Sequence, residues 1–472
     1  LLRKARRHEE IPLPADQPST PVRRLMLLST AEKIGVKQVA PLFSHDFAAQ
    51  ILKLSDAEAQ RLFDAGFAPA RRQLRSQQVP VDTAIDLAFG GLQEAVSGDD
   101  AGGYRVALAF SADKSKGGGF VAYVVREGGE YRIAGLSTAV SMLGDEALRR
   151  LQRGDLAGAR KWLDWVREEA GDDAGNADPI PRNPFLALWA KGDGSGAEEV
   201  RCAAATLLDS QESAKALAVL HACRDAAGDP ARRDALDVAL ALADLGTKKY
   251  GEAAEITGRL LAASPGSDHA EGLHIQALLA LDRWDEIRGL AGRRLQRSPD
   301  AAGALQLLIE ADLRAGDLTQ AEARLRQIVK SGKATANDYN QLAWLLLERG
   351  RVDDETLDFG QRAATLSEYQ GAAYLHTLAS LYAEKGRTAE AYRILVQSLD
   401  VRTNETAGPD DWYVFGRLAE QYGLPDVARK YYKRVPAPKS PADEPMSTHA
   451  LAARRLAALG AEEKKAQSRA TL

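Results

Sequence analysis

A step of 34 residues recurs along the second half of this 472-residue chain and limits what it can fold into more than any other feature. Tyr250 and Trp284 stand one step apart, as do Ala253 and Ile287, Leu261 and Leu295, and Pro265 and Pro299. Ile287 leads on to Ala321, and Gly316 to Gly350, so residue classes with unrelated roles keep one register over several units. A period near 34 belongs to paired-helix solenoids, in which two short helices cannot bury their apolar faces alone and must stack on the next pair.

The units can be written out. The last has Trp412, Phe415 and Gly416 on a first helix, a glycine stop at Gly423, then Ala428, Tyr432 and Val435 on a second. The one before reads Leu375, Leu378, Ala379 and Tyr382, then Gly386, Ala391 and Leu395; before that come Tyr339, Leu342, Ala343, Leu346 and Gly350. Leu305, Leu308, Ile309, Gly316, Ala321 and Leu325 form another, and Leu278, Trp284 and Leu295 fit in part. This pattern resembles the tetratricopeptide repeat (TPR) family. The resemblance implies a mainly α fold, a TPR-like α-α superhelix, to which a change of pattern upstream adds a small N-terminal α+β module. Counted from a first unit around Gly154 and Ala159, about eight helix pairs reach Val435.

Changes of pattern divide the chain. Residues 1–21 carry Arg3, Lys4, Arg6 and Arg7, then spaced prolines, and read as a linker or tether. Residues 22–140 read as the α+β module. Helical spacing at Leu25, Leu28 and Ala31 and at Phe63, Phe67 and Ala70 gives way to alternation at Tyr104, Val106, Leu108 and Phe110, an apolar run at 120–125, and a run at 131–136. Three antiparallel strands are expected there, with Gly128-Gly129 as a tight turn and 114–119 as a loop. Helices followed by such a sheet are faintly similar to the NTF2-like fold, an unnamed helical-plus-sheet module being the alternative. Residues 141–170 are expected to form the first helix pair, 171–196 an irregular proline-bearing insert with an apolar patch at Phe185, Leu188 and Trp189, 197–436 the solenoid, and 437–472 a capping helix and tail.

Charge narrows the partners. Lys plus Arg number 62 against 66 Asp plus Glu, a net charge of −4, without the cationic excess that nucleic acid requires. No apolar run approaches the ~20 residues of a transmembrane helix. The chain starts at Leu1, so a signal peptide, anchor or further domain upstream stays open. The two cysteines, Cys202 and Cys223, fall on what read as the two arms of one helical hairpin. A bridge is geometrically open, but buried unpaired cysteines as small core residues are the favoured reading.

The constellations of catalysis and metal binding are missing. His269 and His274 are five apart, not the four that places a metal pair on one helix face. The 114–119 loop lacks a phosphate-binding order, the acidic run at 172–178 lacks the ligand spacing of a calcium loop, and the cysteines lack a triad context. No enzyme activity, cofactor or metal is expected.

What such a fold offers is an inner surface lined by the first helix of each unit, which in the family holds peptide segments or helices of partners. The corresponding helix faces here present Gln306, Glu310, Asn337, Asn340, Trp344, Glu348, His376, Ser380, Glu384, Tyr413, Arg417 and Glu420. Trp344 is the sharpest single candidate, with packing between adjacent first helices as the alternative. The lysine-and-asparagine clamp that grips a terminal carboxylate in some family members is not visible. The expected function is a non-catalytic scaffold, of bacterial type, that binds protein partners in this groove, with homo-oligomerisation left open. The alternative is a regulatory or docking tail of a larger exported bacterial enzyme, transglutaminase-like, whose catalytic domain lies upstream. A place in the bacterial envelope or periplasm is favoured over the cytoplasm.

Overall fold

The computed structural model describes residues 16–28, 35–58, 93–109, 119–136, 140–170, 182–190, 196–208, 212–298, 301–402, 407–439 and 446–470. They fall into two compact units, Leu1–Leu281 and Asp282–Leu472.

The first unit begins with helices α1 (Thr20–Leu28) and α2 (Val36–Val39), a 3-10 turn at Ala40–Leu42 and α3 (His45–Ile51). An antiparallel sheet follows, built from β1 (Gln93–Asp99), β2 (Gly103–Ala109), β3 (Gly119–Glu127) and β4 (Glu130–Leu136) in that order. The strand period of two sends alternate residues of β3 to opposite faces. Ala122 and Val124 join Val106, Leu108 and Ile133 in packing on Val22, Leu25, Val39 and Phe43. Tyr123 and Val125 point the other way, into a core with Leu143, Trp162, Leu163 and Trp165. The last four residues lie on α4 (Val140–Gln152) and α5 (Leu156–Ala170), so the first helix pair covers one face of the sheet. Trp162 also donates its indole N–H to the Gly102 carbonyl at 3.0 Å, tying α5 to the β1–β2 turn.

The sheet therefore has four strands where three were expected. The added strand, β1, pairs along its whole length with β2, from Gln93 opposite Ala109 to Asp99 opposite Gly103. It is an edge strand, exposed throughout, and its sequence, Gln-Glu-Ala-Val-Ser-Gly-Asp, has no need of the apolar alternation that marks a buried strand. Gly128 and Gly129 make the β3–β4 turn with φ of 60° and 87°, as a two-residue hairpin requires. The helical pattern at Phe63, Phe67 and Ala70 lies outside the described residues, as does the 114–118 part of the expected loop.

The unit continues through α6 (Pro184–Ala190), α7 (Ala197–Ala205), α8 (Ser213–Ala226), α9 (Pro230–Gly246), α10 (Tyr250–Ala263) and α11 (Asp268–Ala280). α6 is the described part of the expected insert; Phe185 is fully buried and stacks on Trp189 at 5.6 Å. The favoured reading of the cysteines is corrected here. Cys202 on α7 and Cys223 on α8 form a disulfide, because the hairpin brings their Cα atoms to 5.8 Å, within bridging range.

The second unit is a run of short helices: α12 (Trp284–Arg297), α13 (Ala302–Arg314), α14 (Leu318–Lys330), α15 (Ala336–Glu348), α16 (Asp354–Leu366), α17 (Ala372–Glu384), α18 (Thr388–Asp400), α19 (Asp411–Gln421), α20 (Pro425–Tyr432) and α21 (Thr448–Ala470). From α13 to α18 every helix has 13 residues, which with two short turns makes the repeat length. The turn inside each pair has one geometry. Gly316, Gly350, Gly386 and Gly423 adopt φ of 73°, 70°, 71° and 70°, and the next residue's N–H bonds back to Asp312, Leu346, Tyr382 and Ala419. This is the left-handed glycine stop that satisfies the last carbonyls of a helix. Lys248 and Asp282 take the same left-handed backbone, so positive φ recurs at 248, 282, 316 and 350, in steps of the sequence period. Helix starts are capped in turn by Asp317, by Thr335 with Asp338, and by Asp353.

Ala321, Ala343, Ala379, Ala391 and Ala428 are fully buried where helices cross, and one core runs from Leu305 to Leu459. Small residues at the crossings let the backbones approach, while each buried leucine between them contributes about 1.5–3 kcal/mol of transfer free energy.

Candidate partner-binding groove

Successive first helices α15, α17 and α19 pack on one another more closely than the second helices α14, α16 and α18 do. The first-helix side is therefore the inner side of the second unit. The turn glycines number its positions. Ten residues before them stand Gln306, Asn340, His376 and Tyr413; six before stand Glu310, Trp344, Ser380 and Arg417; two before, Glu348 and Glu384. Ten, six and two differ by four, so each first helix presents these residues along a single face.

Their surroundings differ along the stack. Asn337 is exposed; Gln306, Glu310, Asn340, Trp344, Glu384 and Glu420 are half-buried; Glu348, His376, Ser380, Tyr413 and Arg417 are buried. Gln306 bonds to Asp338 on the next first helix, and Glu310 accepts from Arg314 at 3.0 Å. The Trp344 ring lies 5.7 Å from that of His376, so it does pack between adjacent first helices. His376 is also hydrogen-bonded to the Asp410 carbonyl at 3.3 Å, and Ser380 donates to the His376 carbonyl at 2.9 Å. Burial holds the His376 imidazole below its ordinary pKa, against the opposing pull of Asp411 and Asp410.

At the far end Glu384, Tyr413, Arg417 and Glu420 form one network. Tyr413 donates to Glu384, Arg417 reaches Glu384 at 2.6 Å and Glu420 at 2.8 Å, and Tyr432 donates to Glu420. Burial pushes the Tyr413 hydroxyl well above its usual range, assisted by Glu384. Burial opposes the Arg417 charge, but Glu384 and Glu420 outweigh it and keep the guanidinium above its ordinary value. Burial also works to raise Glu420, yet the Arg455 and Tyr432 hydrogen bonds and the Arg417 charge prevail and hold its carboxyl below the usual range.

Arg455 comes from α21, which covers this surface. Trp344 donates its indole N–H to the Met446 carbonyl at 2.8 Å, just ahead of the helix. Arg454 bonds to the Glu348 carbonyl at 2.6 Å and its carboxylate at 2.7 Å. Arg455 grips Glu420, with Nε at 3.1 Å. Leu451, Ala452 and Leu459 are buried in the core of the unit, and Arg429 on α20 holds the far end through Glu463 at 2.8 Å. α21 thus runs from α15 across to α19 and α20. Met446, Arg454 and Arg455 were not among the residues read from the sequence as facing the groove; the signal for them was the Leu451, Arg455, Leu459 spacing of four beside an acidic face.

Elsewhere, Glu198, Cys202 and Cys223 are the one cluster of potential metal donors among the described residues, and its two sulfurs are joined to each other. His274 pairs with Thr257 at 2.8 Å. Among the described residues no helix is long and apolar enough to cross a membrane.

No family model matches the chain, and no curated protein matches it. Solved structures do. A tetratricopeptide repeat protein from Parabacteroides merdae is 15% identical, with 51% of this chain and 93% of that one covered and a TM-score of 0.37. In the APC/C hetero-tetramer Cut9-Hcn1 the figures are 14%, 69%, 70% and 0.31. For TTC0263, a thermophilic TPR protein of Thermus thermophilus, they are 19%, 52%, 98% and 0.18. The assignment stands on the paired helices and the recurrent left-handed turn: the chain carries a TPR-like stack of α-hairpins, with a small four-stranded sheet in its N-terminal region.

Proposed function

We propose that this chain is a non-catalytic scaffold that receives a helical segment of a partner protein on the first-helix face of its second unit. The observation that carries the reading is α21. An amphipathic helix lies across that face with its leucines in the core and its arginines on Glu348 and Glu420, which is the helix-in-groove mode of recognition. Asn337 and Glu310, at the end away from Arg455, keep exposed surface for the start of an encounter.

We further infer an oxidising compartment, such as a bacterial periplasm. The support is the disulfide between two buried cysteines, a bond that reducing cytosol disfavours.

Site-specific photo-crosslinking in the native host tests the binding reading. A benzophenone side chain placed at Asn337 or Glu310 is expected to capture a protein that the same group at Leu366 or Tyr392, exposed on the second helices, does not. Capture only from Leu366 and Tyr392 would move the binding surface to the second helices and overturn it.

A further inference from the structure

The register of the second unit shows what kind of helix its inner face takes. Glu348 and Glu384 both stand two residues before a turn glycine. Glu384 receives a guanidinium from the next first helix, through Arg417. The position corresponding to Arg417 one helix earlier is Ser380, whose hydroxyl bonds to its own helix. Where the repeat has a serine, a guanidinium from α21 takes the place of Arg417: Arg454 meets the Glu348 carboxylate, which is only 1% exposed. Beside it, Arg455 supplies Glu420.

Resting on the groove reading above, the geometry points to a partner of defined chemistry: an amphipathic helix with two adjacent arginines, one of them midway between leucines four residues before and after. α21 is the stand-in for that helix within the same chain, and the partner binds by displacing it. Three observations support exchange. Arg454 is 52% exposed and Arg455 29%, so solvent and a second guanidinium can reach each pair, while Glu348 and Glu420, 1% and 10% exposed, require a cation whenever α21 lifts. The acidic floor is complementary to arginine whichever chain brings it. The apolar contacts of α21 come from Leu451, Ala452 and Leu459, a spacing that any amphipathic helix reproduces.

An internal occupant lowers the apparent affinity for an external one by the fraction of time the face is covered. This gives the test its form. A labelled peptide of residues 446–470 is titrated into the full wild-type chain and into the full-length Arg454→Ala/Arg455→Ala variant. The variant is expected to bind it at least tenfold more tightly. A peptide carrying Arg454→Glu and Arg455→Glu is expected to lose at least tenfold on the same variant. Because the peptide alone carries that second change, the two peptides are compared on one and the same host. If circular dichroism shows the double variant misfolded, full-length Arg454→Gln takes its place.

Equal binding by the two peptides would remove arginine from the recognition and overturn the proposal. So would no binding by a variant whose α21 amides exchange rapidly, since an uncovered face would then refuse the helix. A concentration-dependent dimer of the wild-type chain that excess peptide dissolves would assign the face to a second copy instead. These outcomes are separate from the crosslinking result: crosslinks confined to Leu366 and Tyr392 would end the groove reading, whereas a failed peptide arm alone would leave the groove with a partner of different chemistry.

Discussion

Trp344 donates its indole N–H to the backbone carbonyl of Met446, 2.8 Å away and 102 residues further along the chain. The bond joins the inner face of one first helix to the residue that leads into α21, and the same ring packs on His376 of the next first helix. Trp344 thus serves both the stacking of the array and the seating of the helix that crosses it.

These two roles separate chemically. Trp344→Phe keeps an aromatic ring and removes the donor. The loss is expected to be about 1 kcal/mol, one net hydrogen bond, and to fall on α21. Hydrogen exchange should quicken over 448–465 with little change in α17.

Gly416 has no room for a side chain. A Cβ there would come within 2.3 Å of the Tyr432 ring, which is fully buried and whose hydroxyl is held by Glu420. Gly416→Ala is expected to destabilise by about 1–3 kcal/mol, an overpacking cost measurable by urea unfolding, and to loosen Arg455 by shifting Glu420.

The Glu420 carboxyl is held below its ordinary range by the Arg455 and Tyr432 hydrogen bonds and the Arg417 charge, against its burial. A carboxyl with a folded pKa below its unfolded one contributes stability above the unfolded value, and that contribution is lost as pH falls through the folded one. The stability difference between wild type and Glu420→Gln is thus expected to be constant above pH ~5 and to shrink steadily below pH ~4. Urea midpoints measured for both proteins across that range check it.

The Cys202–Cys223 bridge closes a loop of 21 residues between α7 and α8. A closed loop of that size contributes about 2–4 kcal/mol, mainly by restricting the unfolded chain. Reduction of the native protein should lower its unfolding midpoint accordingly, and Cys202→Ser should reproduce the loss without reductant. Alkylation before and after reduction, on protein taken from the host, should show both thiols protected if the compartment is oxidising.

The repeat was legible because its turns need a left-handed residue, and Gly316 and Gly350 stand where that backbone recurs. The helical period groups Asn340, Trp344 and Glu348, four apart on one side of α15, while the expectation that this side is the inner one comes from the family resemblance. Other features left no such mark. β1 is a polar edge strand with one exposed valine, Val96, and nothing in its composition sets it apart from a loop. Two cysteines on neighbouring helices look the same whether bonded or not until the hairpin fixes their separation. The amphipathic spacing of Leu451, Arg455 and Leu459 suits a terminal cap as well as a helix laid across the array. What distinguishes them is Ser380, a position where the next helix has Arg417, and that comparison requires the register of the fold.

The central claim is that α21 occupies the first-helix face through its arginines. Hydrogen exchange over 448–465 in the full chain tests it most directly, comparing wild type with Arg454→Ala/Arg455→Ala. Slow exchange in the wild type that becomes at least tenfold faster in the variant, with α17 unchanged in both, is the predicted result. Rapid exchange of α21 in the wild type itself, at the rate of an unprotected peptide, would contradict the account.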